Sequence, residues 1–245
     1  MSAARNKAIE LSTGKLLAFI DADDFWEPNH LQVLYDLYIQ NPEAGIFASR
    51  YAIKMSPHSI IYPSFKGIDD NYSGIVTDYF GSSLKYRIAF TSAVAVPKEV
   101  FKTTGVFNTS LTRTEDTEMW LRIVLKYPVA ISNKVTAKYN YHLPKSLSKV
   151  NIRKSKVFDI NSFSEHEDDN KSLKIFLDLY RMQYAMRFKI EGDIQRSKEL
   201  FKQISPANIN IKAKLLFKLP PFTLRLLLQF KHWLHKVGIV PRVYD

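Results

Sequence analysis

Leu16-Leu17-Ala18-Phe19-Ile20-Asp21-Ala22-Asp23-Asp24-Phe25-Trp26 is the stretch on which the reading of this chain turns. Five apolar residues read as a short buried strand, and three carboxylates crowd into the next four positions. Like charges at the mouth of a buried strand are costly unless a cation or a hydrogen-bonding ligand meets them. A divalent metal shared with a phosphate-bearing substrate is the simplest such partner. A solvated acidic turn is the other reading, since Asp is common where strands end. If the segment is extended, alternation puts Asp21 and Asp23 on one side, facing one ligand.

Working outward, residues 2–12 read as a helix with Ala3, Ala4, Ala8, Ile9 and Leu11 apolar and Gly14 as its stop. Pro28 suits the first turn of a second helix, with a stripe of Leu31, Leu34, Tyr35, Leu37 and Tyr38, which Asn41-Pro42 ends. Residues 44–53 look like a second strand, and this rhythm is that of a doubly wound α/β sheet. The polar, Pro- and Gly-punctuated segment 56–83 reads as a long loop with one short helix. A strand over 90–96, a short helix from Pro97 to Thr104-Gly105, a helix over 115–126 and an extended segment over 129–141 follow. After residue 150 the character turns helical (155–167, 171–191, 194–204, then a segment broken at Pro220-Pro221). The expected organisation is an α/β domain over 1–150 and a basic helical region over 151–245.

An apolar content of 46% and aromatic content of 13% over 245 residues suffice for a real core and exclude a disordered chain. The absence of cysteine excludes disulfides, thiolate metal sites and a cysteine nucleophile, and fits a reducing cytosol. No stretch approaches the roughly 20 apolar residues of a membrane span, and residues 1–15 lack a signal-peptide core. The net charge of +11 is concentrated late: residues 196–245 hold ten Lys and Arg against Glu199 and Asp245. Over 211–238 these cations alternate with large apolar residues and Trp233. That pattern fits helices lying on an anionic membrane surface, or helices packed on the rest of the chain with lysines in water. No nucleic-acid motif accompanies the charge.

Ser2-Ala3-Ala4-Arg5-Asn6-Lys7-Ala8, Gly14, then LLAFIDADDFW and Pro28 resemble the middle of family 2 glycosyltransferases with the GT-A fold. The likeness continues through Ser92-Ala93-Val94-Ala95-Val96-Pro97, Gly105-Val106-Phe107-Asn108 and Thr114-Glu115-Asp116-Thr117-Glu118-Met119-Trp120, in order, over about residues 2–148. The resemblance implies a partial GT-A (Rossmann-like) mixed sheet with helices on both faces, followed by an α-helical C-terminal region. It also implies an inverting transfer of a sugar from a nucleotide-sugar donor, a UDP-sugar, to a glycan or lipid-linked acceptor in polysaccharide or cell-envelope biosynthesis. Arg5 and Asp21 would bind the nucleotide, Asp23 would ligate Mn²⁺ or Mg²⁺ on the diphosphate, and Asp116 would be the general base. His142, in Tyr139-Asn140-Tyr141-His142, would complete the metal site, or else is a packed or surface histidine. Glu115 beside Asp116 would raise the base's proton affinity, and both acids also suit a helix N-terminus.

Family members usually begin with a strand carrying P-x-Y/F-N and a second ending in D-D-G-S, and neither occurs in this sequence. The resemblance therefore implies an N-terminally truncated domain with an uncovered sheet edge. An inactive remnant, or a membrane-surface interaction module, is the alternative function. Aspartyl phosphoryl transfer is disfavoured by Phe25, where that motif wants Thr or Val. The expected location is cytoplasmic, with peripheral attachment to the inner face of the plasma membrane as an option.

Overall fold

The structure is a computed structural model, and its described residues are 1–56, 58–141 and 152–236. They fall into two compact units, Met1–Ser148 with Lys156–Phe158, and Lys149–Ser155 with Asp159–Asp245.

The first unit opens with α1 (Ser2–Leu11), which ends as Ser12 turns extended and its N–H bonds Ala8. The strands are β1 (Leu16–Ala18), β2 (Phe25–Trp26), β3 (Ile46–Ser56), β4 (Ser59–Ile61), β5 (Gly74–Ile75), β6 (Val94–Pro97) and β7 (Val129–Asn140). They form one sheet of order β1-β6-β3-β7-β2, with β4 on β3 and β5 on β7. Among the described residues only β3 and β7 run parallel; the other pairings are antiparallel, so the sheet is mixed. β1 is an edge strand of this sheet, and its residues are only half-buried.

Helices cover both faces, and strand alternation shows how. Phe47 stands in register with Ala95 and Ala130, and these pack with Leu16 and Ala18 against Leu34 and Leu37 of α2 (His30–Gln40). Fully buried Leu34 belongs to the class of core leucines whose truncation to Ala costs about 2–5 kcal/mol. Leu17 and Phe19 point the other way, where Phe19 meets the rings of Phe101, Phe107 and Trp120 edge-on. Phe101 lies on α4 (Val100–Thr104) and Trp120 on α5 (Glu115–Val124). A Cβ on Gly45 would stand 2.5 Å from Tyr127 Cβ, so glycine is required where β3 enters beneath α5.

Several boundaries differ from the sequence expectation. Residues 90–96 are not one strand: Thr91–Ala93 form a 3-10 turn before β6, because Ser92 turns its hydroxyl and carbonyl to the acidic turn. The segment 56–83 holds β4, β5 and α3 (Tyr79–Ser82), capped by Asp78, rather than a helix alone. Pro28 precedes α2 instead of opening it, Asn29 being the N-cap.

The second unit is helical. α6 (Lys171–Glu191) starts at an Asn170 cap and stops at Gly192, whose φ of 91° suits glycine. α7 (Ile194–Lys202) and α8 (Ile211–Lys218) are capped by Asp193 and Asn210, and Pro221 begins α9 (Pro221–Lys236). Residues 155–167 do not form the expected helix: 3-10 turns lie at Ile152–Lys154 and Ile160–His166, the latter capped by Asp159. Inside the unit, Arg181 donates to Asp178 at 2.9 Å, and Ser205 N–H and the Asn208 amide satisfy the other Asp178 oxygen. No helix among the described residues is long and apolar enough to cross a membrane.

Candidate active site

The acidic stretch is a turn, not the extended segment that alternation assumes. The Asp24 N–H bonds the Asp21 carbonyl at 3.0 Å. Asp24 points inward and is buried; Asp23 is exposed and Asp21 half-buried. Ser92 Oγ donates to Asp24 at 2.5 Å and accepts the Asp21 N–H at 3.0 Å. From β7, the Asn140 N–H reaches the other Asp24 oxygen at 3.2 Å, and its amide donates to the Asp23 carbonyl at 2.5 Å. Burial pushes the Asp24 carboxyl up to about 6; the Ser92 and Asn140 bonds oppose the rise, while Asp21 and Asp23 add to it. Trp26 closes the turn by donating to the Ser92 carbonyl at 2.6 Å and stacking on His30. Thus the three carboxylates divide, one locking the turn and two left toward its open side.

Arg5 on α1 faces that open side. Its guanidinium donates to Asp21 at 2.6 Å and to Glu115 at 3.0 Å, and lies over the Phe107 ring. Burial works against its charge, but Asp21, then Asp116 and Glu115, turn the balance, and the net shift is upward. Asn6 fixes α1 by bonding both the N–H and the carbonyl of Phe107. Glu115 is buried and paired with Arg5, a role its helix-terminal position did not announce.

Asp116 sits in the first turn of α5. The helix is launched from Thr114 at φ 63°, the left-handed region that a β-branched residue seldom occupies. One Asp116 oxygen accepts the Thr117 N–H at 2.7 Å. The other lies 3.5 Å from the Thr91 hydroxyl and 3.7 Å from the Arg87 guanidinium, which also donates to Thr117 at 2.7 Å. The carboxylate remains partly open to solvent, so it is held in place yet can receive a proton from an incoming hydroxyl.

The structure therefore gathers Arg5, Asp21 and the Glu115–Asp116 pair around one point, with Asp23 on the adjoining turn. His142 lies outside the described residues. Among the described residues no three His, Cys, Asp or Glu side chains group to hold a metal by themselves. The exposed Asp23 carboxylate does fit an ion that takes one or two carboxylates and completes its shell with phosphate oxygens. Sequence reading gave no role to Ser92, Asn140, Thr91 or Arg87. The first two stood inside recognised motifs, whereas nothing local marks Arg87.

The profile of the family described as Glycosyl transferase family 2 matches residues 1–100. An uncharacterized glycosyltransferase of Rickettsia typhi is 23% identical over 141 residues, which are 57% of this chain and 43% of that protein. The chain thus spans less than half of that relative's length. Among solved structures, S. aureus TarS 1–349 superposes with a TM-score of 0.59 at 16% identity, over 98% of this chain and 72% of that one. A second S. aureus TarS structure gives 0.52 at 15% identity, over 97% of this chain and 41% of its own. At this identity the likeness concerns the fold, and the mixed GT-A-like architecture expected from the motifs is the one found.

Proposed function

We propose, from the match of residues 1–100 to the model of glycosyl transferase family 2, that this chain carries out inverting transfer of a sugar from a nucleotide-sugar donor, a UDP-sugar, to a glycan or lipid-linked acceptor. The observation that carries the reading is the placement of Asp116. Its carboxylate is fixed by Thr117, partly open, and close enough to raise the Arg5 pKa, while Arg5 bonds Asp21, the first residue of the acidic motif. In this reading Arg5 and Asp21 position the nucleotide. Asp116 takes the proton of the acceptor hydroxyl as that oxygen bonds the anomeric carbon and the nucleoside diphosphate leaves from the opposite face. Asp23, with His142 on the family resemblance, would hold Mn²⁺ or Mg²⁺. When bound, the ion neutralises charge on the departing diphosphate. Work at the cytoplasmic side of a membrane, where lipid-linked acceptors reside, belongs to the same proposal.

An inactive module that keeps part of the fold is the second reading. It is favoured by the edge position of β1, which leaves one flank of the acidic turn without a neighbouring strand among the described residues. Titration calorimetry of UDP with and without Mn²⁺ separates the two. Transfer predicts Mn²⁺-dependent binding, weakened by about tenfold or more, or about 1.4 kcal/mol, in Asp23→Ala. No UDP binding by the unaltered chain would overturn the transferase reading.

A further inference from the structure

α8 and α9 repeat one arrangement. Ala213 of α8 is buried with Met182, Ile204 and Ile209. Leu224 of α9 is buried, and Arg225 fastens that helix by donating to the Ile190 carbonyl of α6 at 2.6 Å. At 3.6 residues per turn, the positions two before and two after an inward residue lie on the opposite side of the helix. Those positions are Ile211 and Leu215 on α8 and Phe222 and Leu226 on α9, with exposures of 66, 55, 69 and 49%. On the α8 wheel, Lys214 and Lys218 border the apolar stripe on one side and Lys212 on the other; Arg225 borders that of α9. On α8 the apolar stripe thus lies between cationic rims, which suits a helix lying in a lipid headgroup layer; on α9 the exposed stripe is the shared feature.

We infer that α8 and α9 dock on an anionic lipid bilayer, lying in its surface without crossing it. The side chains of Ile211, Leu215, Phe222 and Leu226 enter the acyl boundary, and the flanking lysines meet lipid phosphates. Charge selects this occupant. Residues 196–245 carry ten Lys and Arg against two acids, so a second copy apposing the same face by two-fold symmetry would set cations against cations. No described helix is long and apolar enough to span a membrane. The inference stands apart from sugar transfer, because it uses no residue of the candidate active site.

Flotation of the full chain with phosphatidylcholine vesicles, with and without phosphatidylglycerol, tests it. The expected result is about tenfold or greater preference for the anionic vesicles, declining at high salt. Phe222→Asp with Leu226→Asp should abolish binding with helicity by circular dichroism unchanged. Lys214→Glu with Lys218→Glu should remove only the preference for anionic lipid. Binding to neither vesicle, or binding indifferent to both pairs of substitutions, would overturn the inference. So would a dimer seen by light scattering that dissociates on Phe222→Asp. Loss of UDP binding in a chain that still floats would count against the transferase reading alone.

Discussion

Ser92 and Asp24, 68 positions apart in the chain, are joined by a 2.5 Å hydrogen bond, and the same hydroxyl accepts the Asp21 N–H. One side chain therefore ties both ends of the acidic turn. Ser92→Ala leaves a buried carboxylate oxygen and a backbone N–H with one partner fewer, and should destabilise the protein by about 1–3 kcal/mol in urea unfolding. An unfolding midpoint within error of the unaltered chain would show that the bond does not hold the turn.

Arg5 bridges Asp21 and Glu115 with little solvent around the Glu115 carboxylate. Arg5→Met strands that charge, and should cost about 3 kcal/mol, the lower end of the range for breaking a buried pair. Adding Glu115→Gln should recover much of the loss, a coupling that a double-mutant cycle measures directly. Arg5→Lys should recover little, because an ammonium lacks the fork that reaches both carboxylates.

Asp24 and His30 titrate in overlapping windows with opposite effects on stability. Burial raises Asp24 from 3.8 to about 6, so its contribution is present below pH 3.8 and is lost as pH rises through about 6. Burial lowers His30 from 6.5 to about 4, against its bond with Thr136, so its contribution is present above 6.5 and is lost as pH falls through about 4. Each shift corresponds to about 3 kcal/mol, and across pH 4–6 they nearly cancel. Metal-free urea denaturation should show Asp24→Asn gaining stability as pH rises through this window, and His30→Gln losing it. If both variants kept the profile of the unaltered chain, the opposing pair would not exist.

Thr114 holds φ 63° immediately before Glu115 and Asp116. A non-glycine residue in this region carries about 1–2 kcal/mol of strain. Thr114→Gly should leave stability equal or higher by about 1 kcal/mol, while slowing the proposed transfer because the backbone that aims Asp116 is loosened. A fall in stability together with unchanged turnover would contradict that account.

Asp116→Asn keeps the shape of the side chain and its bond from the Thr117 N–H, but removes its capacity to take a proton. Under the proposed sugar transfer, turnover should fall by about 10²–10⁴-fold, with UDP affinity nearly unchanged. Donor turnover assays paired with calorimetry check both halves of the expectation.

Much of this architecture was legible locally. The span of α6, Lys171–Glu191, follows from an Asn cap, a helical apolar period and a terminal glycine. The acidic motif after a strand, with Arg5 and Asp116 in their motifs, pointed to one site, and α1, β1 and α5 bring those residues together. Arg87 was not legible, because only folding carries its guanidinium to Thr117, 30 positions later. The outward faces of α8 and α9 stayed ambiguous in sequence for a related reason. A basic amphipathic pattern looks alike whether its apolar stripe packs inward or faces outward; the fold buries Ala213 and Leu224 and leaves Ile211, Leu215, Phe222 and Leu226 exposed.

By itself the sequence determined the alternation of strand and helix, the helical character after about residue 170, the motifs that carry the family resemblance and the crowding of three carboxylates after β1. Those features depend on spacing and composition within a few turns of chain. Tertiary structure alone decided which carboxylate turns inward. Asp24 is buried because Ser92 and the Asn140 N–H, 68 and 116 positions away, supply the hydrogen bonds that make burial tolerable. With that charge engaged, Asp21 is turned to Arg5 and Asp23 to solvent.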